Sequence, residues 1–525
     1  MPQAKPDPTT IHGPGFSRRM LLLSAASVGG AVVLGAGSVT RALAAGAETE
    51  VPARSPLGLA ADLHNPREVL SAGGRFRLDL TMTQSRIELP YAMADLRLYE
   101  GEIPGPTFRV RPGDDMEITL HNDMPPNADP APAVLNTPNE FSTTNLHFHG
   151  FHVSPKGNSD NVYLQIHPGE SFNYIVRLPQ DHPAGNYWYH PHRHGSVALQ
   201  VASGCGGMMI VGGTLDEVPE VAAAIERVLV FQCPVVDPKA EDLDSYDTIW
   251  SLDAERFWLV NGQYHPRIYM RAGEVQHWRM LNAGDQQFLP MTLDGLELCE
   301  IGFDGNPYPE ARPTEEVFLA PGNRMNLMVK ALEPGSYTLR RPAFSQGKQP
   351  LDEVVLAEVI VLPADTSRIA PDVKMGTELP KGPLPKNKIL TDIADDEIVR
   401  TRQIVLGVSD EKGMFKDTVF TLNGAPFDPK RDDIVARLGE AEEWELVNTT
   451  PFPHPIHVHV NPMQVIKING EPLAHPQWQD TIAVPAAGTV TLRMRFTDFD
   501  GRFVMHCHIL PHEDLGMMLN VAIQA

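Results

Sequence analysis

Apolar and polar residues alternate with a period of two over short runs of this chain. Stretches of Ala, Glu, Lys and Leu of the kind that build helices are scarce. Met116-Glu117-Ile118-Thr119-Leu120 is one alternating run and Val490–Phe496 is another, a pattern that predicts strands with one buried face. Phe108-Arg109-Val110 and Tyr337-Thr338-Leu339 are shorter and rich in β-branched or aromatic residues, which favour the same state.

A longer period overlies this one. Tyr99-Glu100-Gly101 leads through Pro104 to Gly113 and an alternating strand that stops at Asn122. Val260-Asn261-Gly262 leads through Pro266 to Gly273 and stops at Asn282, and Leu422-Asn423-Gly424 leads through Pro426 to Gly439 and stops at Asn448. The first glycines lie 161 and 162 residues apart, and the step from second glycine to Asn is nine in each copy. A turn–strand–turn element recurring once per domain length predicts three related β domains. A Pro- and Lys-rich stretch at 363–390 has no apolar period and reads as a linker, and 124–140, with five prolines, reads as a surface loop. The expected layout is domains at 60–215, 222–363 and 396–525, with the linker at 364–395.

Composition agrees and narrows the function. At about 150 residues per domain, 525 residues suggest three or four domains, and 48 prolines with 42 glycines suit strands joined by turns. Asp plus Glu number 66 against 43 Lys plus Arg, a formal charge of −23. So acidic a surface repels phosphate backbones, which argues against nucleic-acid binding.

The N-terminus reads as an address. Arg18-Arg19 precedes Met20-Leu21-Leu22-Leu23, an apolar Gly-, Ala- and Ser-rich stretch, and Ala42-Leu43-Ala44. A basic pair, an apolar segment and a small-x-small site predict a twin-arginine signal over 1–44. The expected partner during export is the twin-arginine translocase, and the expected location periplasmic or secreted. No later segment has 18 consecutive apolar residues, so the mature chain is expected to stay out of the membrane. Four cysteines occur, Cys205, Cys233, Cys299 and Cys507. With Cys507 reserved for metal, three remain and at most one bridge forms among them.

Twelve of the twenty histidines fall in four short clusters. These are His147-Phe148-His149-Gly150-Phe151-His152, His190-Pro191-His192-Arg193-His194, His454-Pro455-Ile456-His457-Val458-His459, and His506-Cys507-His508-Ile509-Leu510-Pro511-His512. Each contains His-x-His. In a strand, residues i and i+2 face the same way, so each pair aims two imidazoles at one point and four pairs can converge on one pocket. The last cluster decides among metals. Cys507 points away from His506 and His508, His512 lies five residues on, and Met517 five beyond that. A thiolate, two imidazoles (with His454) and a weak axial thioether make a blue-copper ligand set, whereas structural zinc takes four closed ligands.

These stretches, with Tyr187-Trp188-Tyr189-His190-Pro191-His192, resemble the three-domain multicopper oxidases, the family of laccases, bilirubin oxidases and cuprous oxidases. The resemblance implies an all-β chain of three consecutive cupredoxin-like Greek-key domains and four copper ions. By similarity, His454, Cys507, His512 and Met517 hold the type 1 copper; Met518 is the neighbouring alternative, but the family offset favours Met517. His147 and His457 hold the type 2 copper, and His149, His190, His192, His459, His506 and His508 the type 3 pair. The middle repeat, where His265 and His277 stand alone, reads as a spacer. The implied activity is oxidation of a small reducing substrate coupled to four-electron reduction of dioxygen to water, with Cys507 linking the two sites. Glu513 matches the family's acidic proton donor, with a salt bridge or solvated turn as its alternative. Asp160 stands where relatives carry an Asp near the type 2 copper, although Gly157-Asn158-Ser159-Asp160-Asn161 departs from the usual Asp-Gly; a local Asx-turn is its alternative. Three readings of function follow: a laccase-like oxidase of phenols and aromatic amines, a Cu(I) or Mn(II) oxidase in copper tolerance, and a copper-free structural envelope relative. The 20 methionines are scattered, with only Met208-Met209 and Met517-Met518 adjacent, which weakens the cuprous reading. The complete ligand motifs count against the structural one.

Overall fold

The computed structural model describes residues 61–525 except 129–134, 238–242, 244, 252–253, 348, 366–375, 388 and 411–417. The signal expected at 1–44 lies outside the described residues, as do parts of the loop expected at 124–140 and of the linker expected at 364–395. All four runs singled out by their pattern fall on strands: Thr107–Val110, Asp115–Asn122, Gly335–Arg341 and Thr489–Arg495, the last ending one residue before Phe496.

Three pairs of sheets follow one another along the chain. In the first, Met93–Tyr99, Arg75–Glu88, Asp115–Asn122 and Ser171–Arg177 form one sheet. Glu68–Leu70, Thr107–Val110, Gly207–Val211, Gly185–His190 and His147–His149 form the other. Phe76, Ile118, Phe108 and Tyr189 fill the space between them. The second and third repeats each pair a six-stranded with a five-stranded sheet. In each repeat the strand that ends at the recurring Asn lies parallel to the long strand before it: Asp115–Asn122 beside Arg75–Glu88, Val275–Asn282 beside Ile225–Gln232, and Ala441–Asn448 beside Ile398–Asp410. Parallel neighbours require a crossover to the opposite sheet, which makes each repeat a Greek-key sandwich of the cupredoxin type.

The sequence repeat has a physical basis. Glu100-Gly101, Asn261-Gly262 and Asn423-Gly424 all have positive φ at both positions, as a two-residue hairpin turn of the I′ kind requires. Gly113, Gly273 and Gly439 take φ of 86°, 84° and 85°. Asn122, Asn282 and Asn448 are buried, and each side-chain carbonyl accepts the N–H two residues on, from Met124, Gly284 and Thr450. Each amide donates to carbonyls of the loops beyond: Ser142 and Ile166, Gln287 and Leu319, Phe452 and Pro485. The Asn therefore pins a loop to the end of its sandwich. Four residues earlier stand Ile118, Trp278 and Trp444, all fully buried, and each such side chain contributes roughly 1.5–3 kcal/mol or more.

The repeats share buried contacts. Trp188, Met208 and Ile210 of the first pack against Val228, Val230 and Leu281 of the second. Leu199, Ile249 and Leu510, one from each repeat, share a further cluster. The described part of the linker is anchored rather than loose: Leu384 and Ile393 are buried, and the Ile393 N–H donates to Gln464 Oε1 at 2.9 Å. All four cysteines are free and buried, so the one permitted bridge does not form. Among the described residues no helix is long and apolar enough to cross a membrane.

Candidate metal centres

Two antiparallel pairings aim the histidines. In the first repeat His147 faces His190 and His149 faces Trp188. In the third His457 faces His506 and Ile456 faces Cys507. Only His147 and His149 share a strand as a pair; the strands Gly185–His190, His454–Val458 and Gly501–Cys507 end before His192, His459 and His508. The two-residue period therefore aims one pair, and backbone contacts just past the strands aim the rest: His192 N–H to Asn145 Oδ1 at 2.7 Å, His459 N–H to the Val504 carbonyl at 3.2 Å, and His508 N–H to the Pro455 carbonyl at 2.6 Å.

Eight rings from the first and third repeats meet in one closed chamber. His147 stacks on His459 with centroids 3.9 Å apart, and His149 stacks on His457 at 3.7 Å. The Nε2 atoms of His192 and His459 lie 3.1 and 3.2 Å from Nε2 of His506. The His508 ring stands 5.0 Å from that of His149 and 5.4 Å from that of His190. The Nε2 atoms of His147, His190 and His457, the Nδ1 of His149 and both nitrogens of His508 are buried without a protein partner. In His147, His149, His190 and His457 the opposite nitrogen is fixed from outside the chamber. His147 Nδ1 is 2.9 Å from Asp160 Oδ1, His149 Nε2 is 3.0 Å from Asp480 Oδ1, His190 Nδ1 is 2.8 Å from the Pro191 carbonyl, and His457 Nδ1 is 2.8 Å from the Asp480 carbonyl. These four rings thus have one nitrogen held and the other turned inward, the arrangement that orients ligating imidazoles, whereas His508 has neither nitrogen held by the protein. Burial, reinforced by neighbouring imidazoles, holds His147, His149, His190, His457, His459 and His508 well below the usual imidazole range, and burial takes His192 and His506 down to about 4. The rings are neutral near pH 7, the state a metal needs.

A second group sits on the other face of the same strand. Cys507 Sγ is 3.5 Å from His454 Nδ1 and 3.8 Å from His512 Nδ1, and the two nitrogens are 3.2 Å apart. His454 is braced from behind by Thr450 Oγ1, 2.8 Å from its Nε2. Met517 packs in the same buried cluster as Cys507, whereas Met518 belongs to another with Val162, Phe427 and Val504. The loop between them is closed by the Cys507 N–H on the Met517 carbonyl at 3.0 Å and the Met517 N–H on the His512 carbonyl at 2.9 Å. The His512 ring lies parallel to Phe420 at 3.9 Å and to Trp250 at 6.3 Å.

Both carboxylates singled out in the sequence border the chamber. Glu513 is fully buried, with Oε2 2.9 Å from His506 Nδ1 and Oε1 3.5 Å from His192 Nδ1. Burial pushes it up to about 7 despite His192. Asp160 accepts the Phe148 N–H at 3.0 Å, and burial pushes it up to about 8. His152 and His194 lie outside the chamber: His152 bridges to the Val460 carbonyl and Asp498, and His194 meets Asn136.

Sequence reasoning missed three contributors. Asp480 and Thr481 sit on the strand edge opposite His457, and Thr481 Oγ1 lies 3.1 Å from His149 Nε2 and 3.2 Å from His457 Nδ1. The middle repeat is more than a spacer. Its Gly322, at φ +87°, lies so close that an added Cβ would stand 3.1 Å from His508 and 3.2 Å from His149. No local signal marks these residues, because their partners lie far off in the sequence, at His457 in the same repeat and at His149 and His508 in others.

Comparison with known proteins agrees with this geometry. Residues 131–215, 243–361 and 401–525 each match the multicopper oxidases, and the chain belongs to that family. It is 24% identical to the Multicopper oxidase mco of Staphylococcus aureus over 443 residues, covering 81% of this chain and 83% of that protein. It is 25% identical to a laccase of Bacillus stratosphericus, covering 80% and 89%, and 25% identical to Cell division protein FtsP of Dickeya dadantii, covering 81% and 85%. The solved multicopper oxidase of Campylobacter jejuni, described as a metallo-oxidase, superposes with a TM-score of 0.73 at 25% identity, covering 89% and 96%. The chain is accordingly a copper-binding oxidoreductase that pairs a reducing substrate with dioxygen.

Proposed function

We propose that this protein is a laccase-like oxidase of small phenols and aromatic amines carrying four coppers. The donor set fits. Ten buried imidazoles, one thiol and one thioether lie in two groups; the chamber rings turn free nitrogens inward, and nitrogen and sulfur donors of this mixture suit copper. His454, Cys507, His512 and Met517 would hold a type 1 ion. His147 and His457 would hold a type 2 ion, and His149, His190, His192, His459, His506 and His508 a type 3 pair. Bound copper supplies one-electron storage at four ions, matching the four electrons that take dioxygen to two waters. The chain's own residues do the rest. Cys507 joins the two groups through its peptide bonds to His506 and His508. Glu513, between His192 and His506, holds a proton beside the chamber, and Asp160 orients His147.

One observation carries the substrate class: the His512 ring, outermost of the second group, lies near-parallel to the rings of Phe420 at 3.9 Å and Trp250 at 6.3 Å, an aromatic setting that suits aromatic reductants approaching by stacking. A second reading, oxidation of Cu(I) or Mn(II), is favoured by the small access to His512, which is 8% exposed. Oxygen uptake with a panel of phenols, Cu(I) and Mn(II) separates the two. Metal analysis tests the cofactor: four coppers per chain are expected, and none would make this a structural relative. Arg18-Arg19 and the segment after it support export by the twin-arginine translocase to the periplasm or beyond. Replacing both arginines by lysine should leave the protein in the cytoplasm, and unchanged export would end that reading.

A further inference from the structure

Arg324 opens a strand of the middle repeat, Arg324–Lys330, yet its side chain leaves that repeat and is fully buried. Its Nη1 donates to Asp480 Oδ1 at 2.7 Å and its Nη2 to Asp480 Oδ2 at 2.5 Å, a two-pronged ion pair across repeats. Two further donors are also used: Nε on the Asn186 carbonyl of the first repeat at 3.0 Å, and Nη1 on the Gly322 carbonyl at 3.0 Å. Asp304 stands behind, 3.3 Å from Nη1, and accepts the backbone N–H groups of Arg324 at 3.0 Å and Thr481 at 3.2 Å. One side chain of the middle repeat therefore ties together all three.

The carboxylate it grips bears on the chamber. Asp480 Oδ1 faces His149 Nε2 at 3.0 Å, and the Asp480 carbonyl accepts from His457 Nδ1 at 2.8 Å. A carboxylate accepts only, so His149 carries its proton on Nε2 and presents Nδ1 inward, whereas His147, His190 and His457 present Nε2. The space is made for this grip: a Cβ on Gly150, next to His149, would stand 2.6 Å from Asp480 Oδ2 and 2.7 Å from Arg324 Nη2.

The geometry points to Arg324 as a positioning residue for the chamber histidines, which acts by fixing Asp480 and through it the proton and ring orientation of His149, a ligand of the type 3 pair, and of His457, a ligand of the type 2 ion. This rests on the copper assignment above. A bare carboxylate at 480 could rotate, and His149 could then turn Nδ1 outward. A Lys at 324 keeps the charge but loses the fork that sets the plane of the carboxylate.

The test uses full-length protein loaded with copper: wild type, Arg324→Gln, Arg324→Lys, Asp480→Asn, and Arg109→Gln as a variant that breaks a different inter-repeat ion pair. The readouts are copper per chain after dialysis, the blue absorption of the type 1 ion, the type 2 electron paramagnetic resonance spectrum, and the melting temperature of the copper-free chain. In Arg324→Gln, chamber copper should bind about 10- to 100-fold more weakly and the type 2 spectrum should change, with the blue absorption intact; Arg324→Lys should recover part of this. Arg109→Gln should lower the melting temperature alone. A full copper complement with an unaltered type 2 spectrum in Arg324→Gln overturns the inference, and so does parallel loss of both sites, which would mark a purely structural role. Should Arg324→Gln fail to fold, unaltered type 2 spectra in Arg324→Lys and Asp480→Asn overturn it equally. Copper-free wild type would refute the proposed function itself, a result distinguishable from any of these.

Discussion

Cys507 and His506 are neighbours in sequence that point to opposite faces of one strand. The Cys507 sulfur lies with His454 and His512, while His506 Nε2 lies with His192 and His459. Two groups of metal-binding side chains are thus separated by one peptide unit and by the thickness of a β-strand. Cys507→Ser should remove the blue absorption and lower turnover by more than about 100-fold, a larger loss than for a supporting residue, while chamber copper stays. Metal analysis and absorption spectra check this; a variant that keeps its blue colour sinks the ligand assignment.

Glu513 lies within 3.5 Å of Nδ1 of both His192 and His506. Glu513→Gln keeps the shape and removes the exchangeable acid. Turnover should fall roughly 10²-fold or more, the usual size of a lost acid–base group, with copper content unchanged. Equal turnover in the two proteins would show that protons take another route.

The Trp250 ring lies near-parallel to that of His512, 6.3 Å away. Trp250→Ala should raise kcat/KM for bulky phenols, on the order of tenfold if shape alone excludes them, and leave Cu(I) oxidation unaltered. Steady-state kinetics with phenols of graded size measure it, and no change across the series would remove Trp250 from substrate selection.

Burial alone would raise Glu226, but Arg279 and Arg109 outweigh it and bring its carboxyl down from 4.5 to about 2. A carboxylate depressed in the folded state stabilises above its unfolded pKa, and that contribution fades as pH falls from about 4.5 to 2. The pair is partly exposed, so the contribution is on the order of 1 kcal/mol. Melting curves of wild type should drop through this window, and those of Glu226→Gln should drop less; identical pH profiles would refute it.

Copper removal should lower the melting temperature, because a ligand that binds only the folded chain adds about 4 kcal/mol per site at a thousand times its Kd. Calorimetry before and after chelation gives the difference.

Much of this was legible in the sequence because it is local. Met116–Leu120 alternates since one face of its strand is buried and the other partly exposed, and His506, Cys507, His512 and Met517 sit within twelve residues. The strand Gly185–His190 is buried throughout, so it leaves no alternation to read, and only the His190-Pro191-His192 run at its end marks it. Asp160 was reached only by likeness to relatives. Asp480 and Arg324 left no trace, since the contact between His149 and Asp480 spans 331 positions and that between Arg324 and Asp480 spans 156. The spacing along one strand says where its own side chains aim; it says nothing of what the neighbouring repeat places behind them.

The stacked pairs His147 on His459 and His149 on His457 interleave the two ends of the chain. A nascent polypeptide that has emerged as far as the middle repeat owns four of the eight chamber histidines, among them the group His147, His149 and His190, and none of the Cys507 group. The full set of donors exists only once the segment from His454 to Met517 has been made and docked, so completing both sites is the last thing the growing chain can do.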